Sequence, residues 1–339
     1  MAQEKLDILF INGVRDSGTV DVVRGTAAGR LIFSTAGSCH VSSFLAPERI
    51  NVSHFALDHL RQQQIDTRHL LRHDLVFCEI ADPDSHTMAL NKACRLHGLV
   101  QDRLPWVNDP HRIPGTGREK IPGLLADIEG ITVPRVIRVK PRSIADLEAA
   151  IEAGGLKLPV LIRPTGSHGG QSLVLIKTTH DLQHLLLARF HEAFISEFVD
   201  TSENGIYAKY RIAVINGEAF IRHVIFSNHW IVHSESRTFM SEHPEFQDRE
   251  AQLLDSFDAR IKPQIASAIA HVHERIGLDY FGIDCAFSDG RLTLFEVNAN
   301  MNILNNNQPL PNIWQQPIRH MQDCILENLI LGRIARFGA

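Results

Sequence analysis

The stretch YFGIDCAFSDGRLTLFEVNANMN, residues 280 to 302, constrains the fold of this chain more than any other. Polar and apolar residues alternate on both sides of Asp289-Gly290, which reads as two strands joined around that pair. Asp284 and Glu296 fall among Phe281, Ile283, Phe287, Leu292, Leu294 and Phe295, and carboxylates in such surroundings need partners. Glu296 and Asn298 are two apart, so they share one face of their strand. A three-residue loop places Asp284 directly opposite Glu296, whereas a two-residue loop turns it to the other face; the sequence leaves both registers open. Converged, the three side chains offer only hard oxygen donors, a set that suits magnesium shared with nucleotide phosphates.

A second hairpin is written into YAKYRIAVINGEAFIRHVIF, residues 207 to 226, because Asn216-Gly217 suits a two-residue type I′ turn. That turn pairs Ile215 with Glu218, Ala213 with Phe220 and Arg211 with Arg222. Two arginines facing each other repel; an anion between them is the simplest compensation, the alternative being that both point to water and are screened. Upstream, RPTGSHGGQS (163 to 172) joins the apolar runs PVLI and LVLI through a loop of three glycines.

The chain has 339 residues, 44% of them hydrophobic, enough for two or three domains. From residue 1 to 112 apolar strand-like runs alternate with helix-like stretches such as Ser85 to His97, which predicts an α/β domain with a parallel sheet. NDPHRIPGTG, 108 to 117, is dense in turn residues and marks a boundary. Residues 113 to 192 follow as a smaller α/β unit whose helix is opened by a Ser143/Asp146 capping box and stopped at Gly154-Gly155. The remainder, 193 to 339, includes the strand FISEFV and a helix over 258 to 276 with Ile261, Ile265, Ile269, Val272 and Ile276 on one face, ended by Gly277.

The net charge of −5 supplies no field that would attract nucleic acid or an anionic membrane, and no apolar run approaches a membrane span. The start of the chain has no signal-peptide pattern, so a cytoplasmic location is expected. Five cysteines without a CxxC pair argue against a disulfide framework or a thiolate zinc site; reduced, mostly buried thiols are expected. Among 19 histidines, His223, His229 and His233 lie close together, but no carboxylate or cysteine at ligand spacing supports a transition-metal site there.

Strand, glycine loop, strand, then FISEFV, a YR...NG...R hairpin and GID...LFEVNAN: this order resembles the ATP-grasp superfamily, in its glutathione synthetase and RimK-like branch. The resemblance covers roughly residues 105 to 305, with E-x-N and its upstream Asp as its most specific part. It implies an ATP-grasp fold of α/β (α+β) class, with an N-terminal parallel-sheet domain, a small lid and a C-terminal antiparallel-sheet domain. It implies ATP with magnesium, two ions by expectation and replaceable by manganese, at Asp284, Glu296 and Asn298. Arg163 stands where the family usually has a lysine, keeping the charge but exchanging a point for a planar fork. Lys120 is the candidate for the other nucleotide lysine, with Arg118 close enough to compete. Glu197, Phe198 and Val199 match the hinge that meets adenine, and Glu203 and Asp200 are candidates for the ribose. Gly166, Gly169 and Gly170 would let backbone N–H groups approach phosphates, with Ser167 and His168 adding donors and the loop folding over ATP. Lys209 replaces the acid often found two residues before the matching arginine, and the proline after E-x-N is missing.

These features imply an ATP-dependent carboxylate–amine ligase working through an acylphosphate, with Arg211 and Arg222 stabilising the developing charge. Its partners would be a small carboxylate and an amine, an amino acid or short peptide, with neither nucleic acid nor membrane involved; a homodimer follows by family analogy. A small-molecule kinase on the same fold and a nucleotide-binding regulatory module are the alternatives. Substrate choice would rest with the N-terminal domain and residues 226 to 258.

Overall fold

The computed structural model describes residues 5–25, 31–34, 39–58, 60, 66–167, 170 and 172–338. Near the N-terminus, β1 (Leu6–Gly13) is followed by an antiparallel ribbon of β2 (Asp21–Gly25) and β3 (Leu31–Ser34). β4 (Ile50–Leu57), β5 (Leu75–Cys78) and β6 (Trp106–Val107) then join β1 in a parallel sheet of order β4-β1-β5-β6. LVFC is wholly buried, as an uninterrupted apolar run requires in a sheet covered on both faces. The helix predicted from Ser85 runs over Thr87–Val100 and contributes Ala89, Leu90, Ala93 and Leu96 to the core.

β7 (Ile131–Thr132) precedes a small antiparallel sheet of β8 (Val136–Val139), β9 (Val160–Pro164), β10 (Val174–Ile176) and β11 (Ala193–Glu197), ordered β10-β9-β11-β8. The helix Ile144–Ala153 packs Leu147 and Ile151 onto it, and both halves of the Ser143/Asp146 capping box are formed. β11 is central in this sheet, pairing with both β8 and β9.

The largest sheet holds β12 (Tyr207–Ile215), β13 (Glu218–Ser227), β14 (Tyr280–Ser288) and β15 (Arg291–Asn298), with β7 on its edge, in the order β13-β12-β14-β15-β7. Helices Pro244–Arg260 and Lys262–Ile276 share a core with the face carrying Ile212, Val214, Ile283 and Cys285. The predicted helix over 258 to 276 is thus two helices divided at Ile261, with Pro263 in the first turn of the second and Gly277 left-handed at its end (φ 67°). The opposite face packs Ala213, Ile215 and Tyr280 against Ile8, Phe10 and Phe77 of the N-terminal sheet. No helix among the described residues is long and apolar enough to cross a membrane. Four of the five cysteines are buried and none forms a disulfide, and burial pushes the Cys39 and Cys78 thiols up to about 12.

Close packing of β14 makes one glycine mandatory. A Cβ on Gly282 would lie 2.4 Å from the Met301 Cβ and 2.7 Å from its sulfur. Gly282→Ala is therefore expected to destabilise the fold by about 1–3 kcal/mol through overpacking, read as a lower urea midpoint at unchanged slope.

Candidate active site

Both hairpins owe their side-chain arrangement to bulges. Asn216 and Gly217 are both left-handed (φ 51° and 84°), as a type I′ turn demands, and Ile215 pairs with Glu218 and Ala213 with Phe220 as predicted. The register then shifts between Arg211 and Ile212, so Arg211 pairs with His223 and Arg222 is the extra residue. The expected Arg211–Arg222 pair is not formed: Arg222 is buried, donates to the Asn305 carbonyl (2.8 Å) and lies over the Trp314 ring. Burial and the nearby Arg211 and Arg237 push its guanidinium down to about 10.

In the second hairpin Asp289-Gly290 forms a two-residue loop, pairing Ser288 with Arg291, the register that alone would send Asp284 to the far face. A bulge at Phe295 adds one residue to β15, and Asp284 returns to a place directly opposite Glu296. A three-residue loop would have given this pairing directly; the two-residue loop that forms reaches it only through the bulge.

Asp284, 4% exposed, accepts Arg211 Nε (2.8 Å) and Nη2 (2.9 Å) on its two oxygens and Lys209 Nζ at 3.2 Å. Burial would raise its pKa, but Arg211 and Lys209 outweigh burial and hold the carboxyl far below the usual range. Glu296 is bound by Arg118 Nη2 at 2.7 Å, and there too burial is overcome by the guanidinium, leaving the carboxyl below its ordinary value. Asn298 follows on the same strand, its Oδ1 accepting the Asn300 N–H at 2.9 Å. Across the gap, Arg163 at the end of β9 donates to the Ser167 carbonyl and Oγ; burial and Arg118 push its guanidinium down to about 10.

The four cations and the two carboxylates line a cavity of about 400 Å³ between the small and the largest sheet. One end carries Arg118, Arg163, Lys209, Arg211, Asp284 and Glu296; apolar walls come from Val136, Leu161, Phe194 and Leu294; Glu197, Phe198 and Val199 border it as well. A smaller adjoining cavity is lined by Asp82, Asp84, Gly166, Ser167, Glu296 and Asn298. Gly170, left-handed at φ 75°, borders the main cavity, and a Cβ there would press on Ile231 at 3.1 Å. His168 and Gly169 lie outside the described residues.

Two expectations move. Lys120 is exposed at the start of the helix Ile121–Leu125 and does not line the cavity; Arg118, two residues earlier, does. Glu203 and Asp200 also stay outside it: Glu203 accepts the Ser288 hydroxyl, and Asp200 takes the Ser202 N–H. Lys209, noted in the sequence only as a departure, instead neutralises Asp284. Trp230 to Ser234 line the same cavity, with Trp230 edge-on to Phe198 at 5.9 Å. The three neighbouring histidines do not act together. His229 and His233 accept backbone N–H groups on Nδ1, whereas His223 is half-buried beside Arg211, its Nε2 enclosed with no hydrogen-bond partner and its pKa driven well down by desolvation and three arginines.

A family model for the RimK-like ATP-grasp domain matches residues 122–225. No curated protein matches the sequence. Among solved structures, a D-alanine–D-alanine ligase from Bacillus anthracis is similar over 98% of both chains, at 12% identity and a TM-score of 0.55. The same enzyme complexed with ATP matches at 13% identity, covering 98% of this chain and 97% of that one, with a TM-score of 0.51. A D-Ala:D-Ser ligase from Enterococcus faecalis matches over 98% of this chain and 100% of its own at 12% identity, TM-score 0.55. At such identities the likeness is one of fold. The chain has the ATP-grasp fold, and its residues 122–225 match the RimK-like ATP-grasp domain.

Proposed function

We propose that the protein is an ATP-dependent carboxylate–amine ligase that works through an acylphosphate. The observation that carries this reading is the cross-strand pair Asp284 and Glu296, each already neutralised by cations, at the charged end of a cavity whose walls are apolar. A planar base suits the slot near Phe198 and Val199, and a polyphosphate suits Arg118, Arg163, Lys209 and Arg211. Asp284, Glu296 and Asn298 fit magnesium, being oxygen donors only, two of them carboxylates on adjacent strands. When bound there with the nucleotide, magnesium would neutralise phosphate charge and polarise the transferring phosphoryl group.

The chain's own side chains would do the rest. Arg118 and Arg211 can exchange their carboxylates for phosphate oxygens when ATP and metal enter, so binding needs no new buried charge. A substrate carboxylate oxygen attacks the γ-phosphorus, the bond to ADP breaks, and an acylphosphate forms. The amine then attacks the acyl carbon, the C–O bond to phosphate breaks, and the amine loses a proton. Arg211 would stabilise the negative charge of these steps; Arg222, which does not line the cavity, leaves the proposed set. The glutamate and arginine clamp asks for no side-chain nucleophile. Substrates are small carboxylates and amines, and the division into N-terminal, lid and C-terminal domains, the cytoplasmic setting and the homodimer remain part of this proposal.

Incubation with ATP, magnesium and pooled amino acids and small carboxylates, with hydroxylamine as surrogate amine, tests it. Acid-dependent hydroxamate together with ADP and phosphate supports the ligase; a hydroxylamine-stable phosphoester would make it a kinase, and nucleotide binding without turnover a regulatory module. The contrast between two neighbouring cations is sharper still. Arg118→Ala is expected to weaken ATP binding at least about tenfold, and Lys120→Ala to change it less than about twofold, measured by calorimetry.

A further inference from the structure

Outside the cavity, one group of side chains among the described residues has the composition and spacing of a metal site: His97, Asp109 and His111, whose ligand atoms lie within 4.8 Å of one another. His97 sits in the last turn of the helix Thr87–Val100, and Asp109 and His111 are on the turn that leaves β6. We propose that these three residues bind a divalent transition metal, zinc by preference, at a site separate from the nucleotide cavity.

Three observations converge. His111 Nδ1 is 2.8 Å and His97 Nδ1 3.8 Å from the same oxygen, Asp109 Oδ1. In a tetrahedral site with bonds of about 2.0–2.1 Å, neighbouring ligand atoms lie about 3.3 Å apart, so small adjustments on each side of the oxygen suffice. His111 is half-exposed and can turn. Next, the His97 Nδ1 is buried without a hydrogen-bond partner, an orphan lone pair or N–H that the fold leaves facing Asp109. Finally, Asp109 is held in place before any ion arrives, since Oδ1 also accepts the His111 backbone N–H at 2.9 Å. The carbonyls at the end of the helix add negative potential. Arg333 is the nearby cation, and it is committed to Asp279 at 2.7 Å and the Trp106 carbonyl at 2.9 Å.

Two imidazoles and one carboxylate select zinc over magnesium or calcium, which prefer oxygen. The location gives the ion a mechanical role. Asn108, adjoining Asp109, is pinned to the largest sheet through the Tyr280 and Ala299 carbonyls at 2.7 and 3.1 Å and the Tyr280 N–H at 2.9 Å. A metal at Asp109 would therefore fasten the helix Thr87–Val100 of the N-terminal layer to the turn anchored on the ATP-grasp sheet.

The test is zinc titration by calorimetry of tag-free, chelator-stripped protein without nucleotide, supported by the visible spectrum with cobalt. One zinc per chain is expected, with an intense tetrahedral cobalt band. His111→Ala, at a half-exposed position that does not threaten folding, and His97→Ala should each weaken binding at least about tenfold and abolish the band. His180→Ala, which removes another close histidine pair, and Glu296→Gln should leave it unchanged. Failure of the parent protein to bind zinc, binding undiminished in His111→Ala, or loss in His180→Ala or Glu296→Gln would overturn the assignment.

Discussion

Asp284→Asn is expected to lower the unfolding free energy by about 3 kcal/mol, the low end of what breaking a buried ion pair costs. Asparagine keeps the shape but leaves Arg211 and Lys209 without a counter-charge; their side chains, 23% and 18% exposed, recover part of the loss from water. The same substitution should change the acid limb of stability. The Asp284 carboxyl is held far below its ordinary value of 3.8, so its contribution is complete above that value and is lost as pH falls beneath it. Denaturant midpoints measured from pH 7 down to pH 3 should therefore fall less steeply in the variant than in the parent. Equal stability at pH 7, within about 0.5 kcal/mol, would mean that the clamp on Asp284 contributes nothing to the fold.

Glu296→Gln is expected to reduce magnesium-dependent ATP turnover at least about 100-fold while leaving the fold intact. The exchange is isosteric, and Glu296 is 26% exposed, so Arg118 can turn to water or phosphate when its carboxylate partner is lost. Binding of ATP without metal should be unchanged or slightly tighter, because a negative charge near the phosphates is gone. The measurement is ADP release at saturating ATP alongside calorimetry with and without magnesium. Turnover within about threefold of the parent would remove Glu296 from the metal site.

What the sequence told and what it withheld follow from where each decision is made. Asn216-Gly217 and Ser143/Asp146 act through their own backbone neighbours, and both are formed as read. The bulges at Arg222 and Phe295 are different, since a single extra residue leaves no mark on local alternation and is settled by packing against adjacent strands. One bulge separated Arg222 from Arg211; the other restored the Asp284–Glu296 pair that a two-residue loop would have broken. Arg118 and Lys120 are two apart in a segment of short helical turns, too short for periodicity to say which faces inward. Lys209 looked like a departure because its role lies across the sheet, against an aspartate 75 residues away. The His97, Asp109 and His111 cluster is invisible at sequence level for a similar reason: a helix end and a loop meet only through the fold of the N-terminal layer.

The central claim is that a carboxylate oxygen of the substrate attacks phosphorus in this cavity. It is tested most directly by supplying the acid pool labelled with ¹⁸O in the carboxylates, with ATP, magnesium and an amine pool, and reading the phosphate by ³¹P NMR. Each phosphate released should carry one labelled oxygen, seen as an isotope-shifted resonance that disappears in Glu296→Gln. Phosphate that stays unlabelled while product forms, or label retained wholly in the product, would contradict the acylphosphate route.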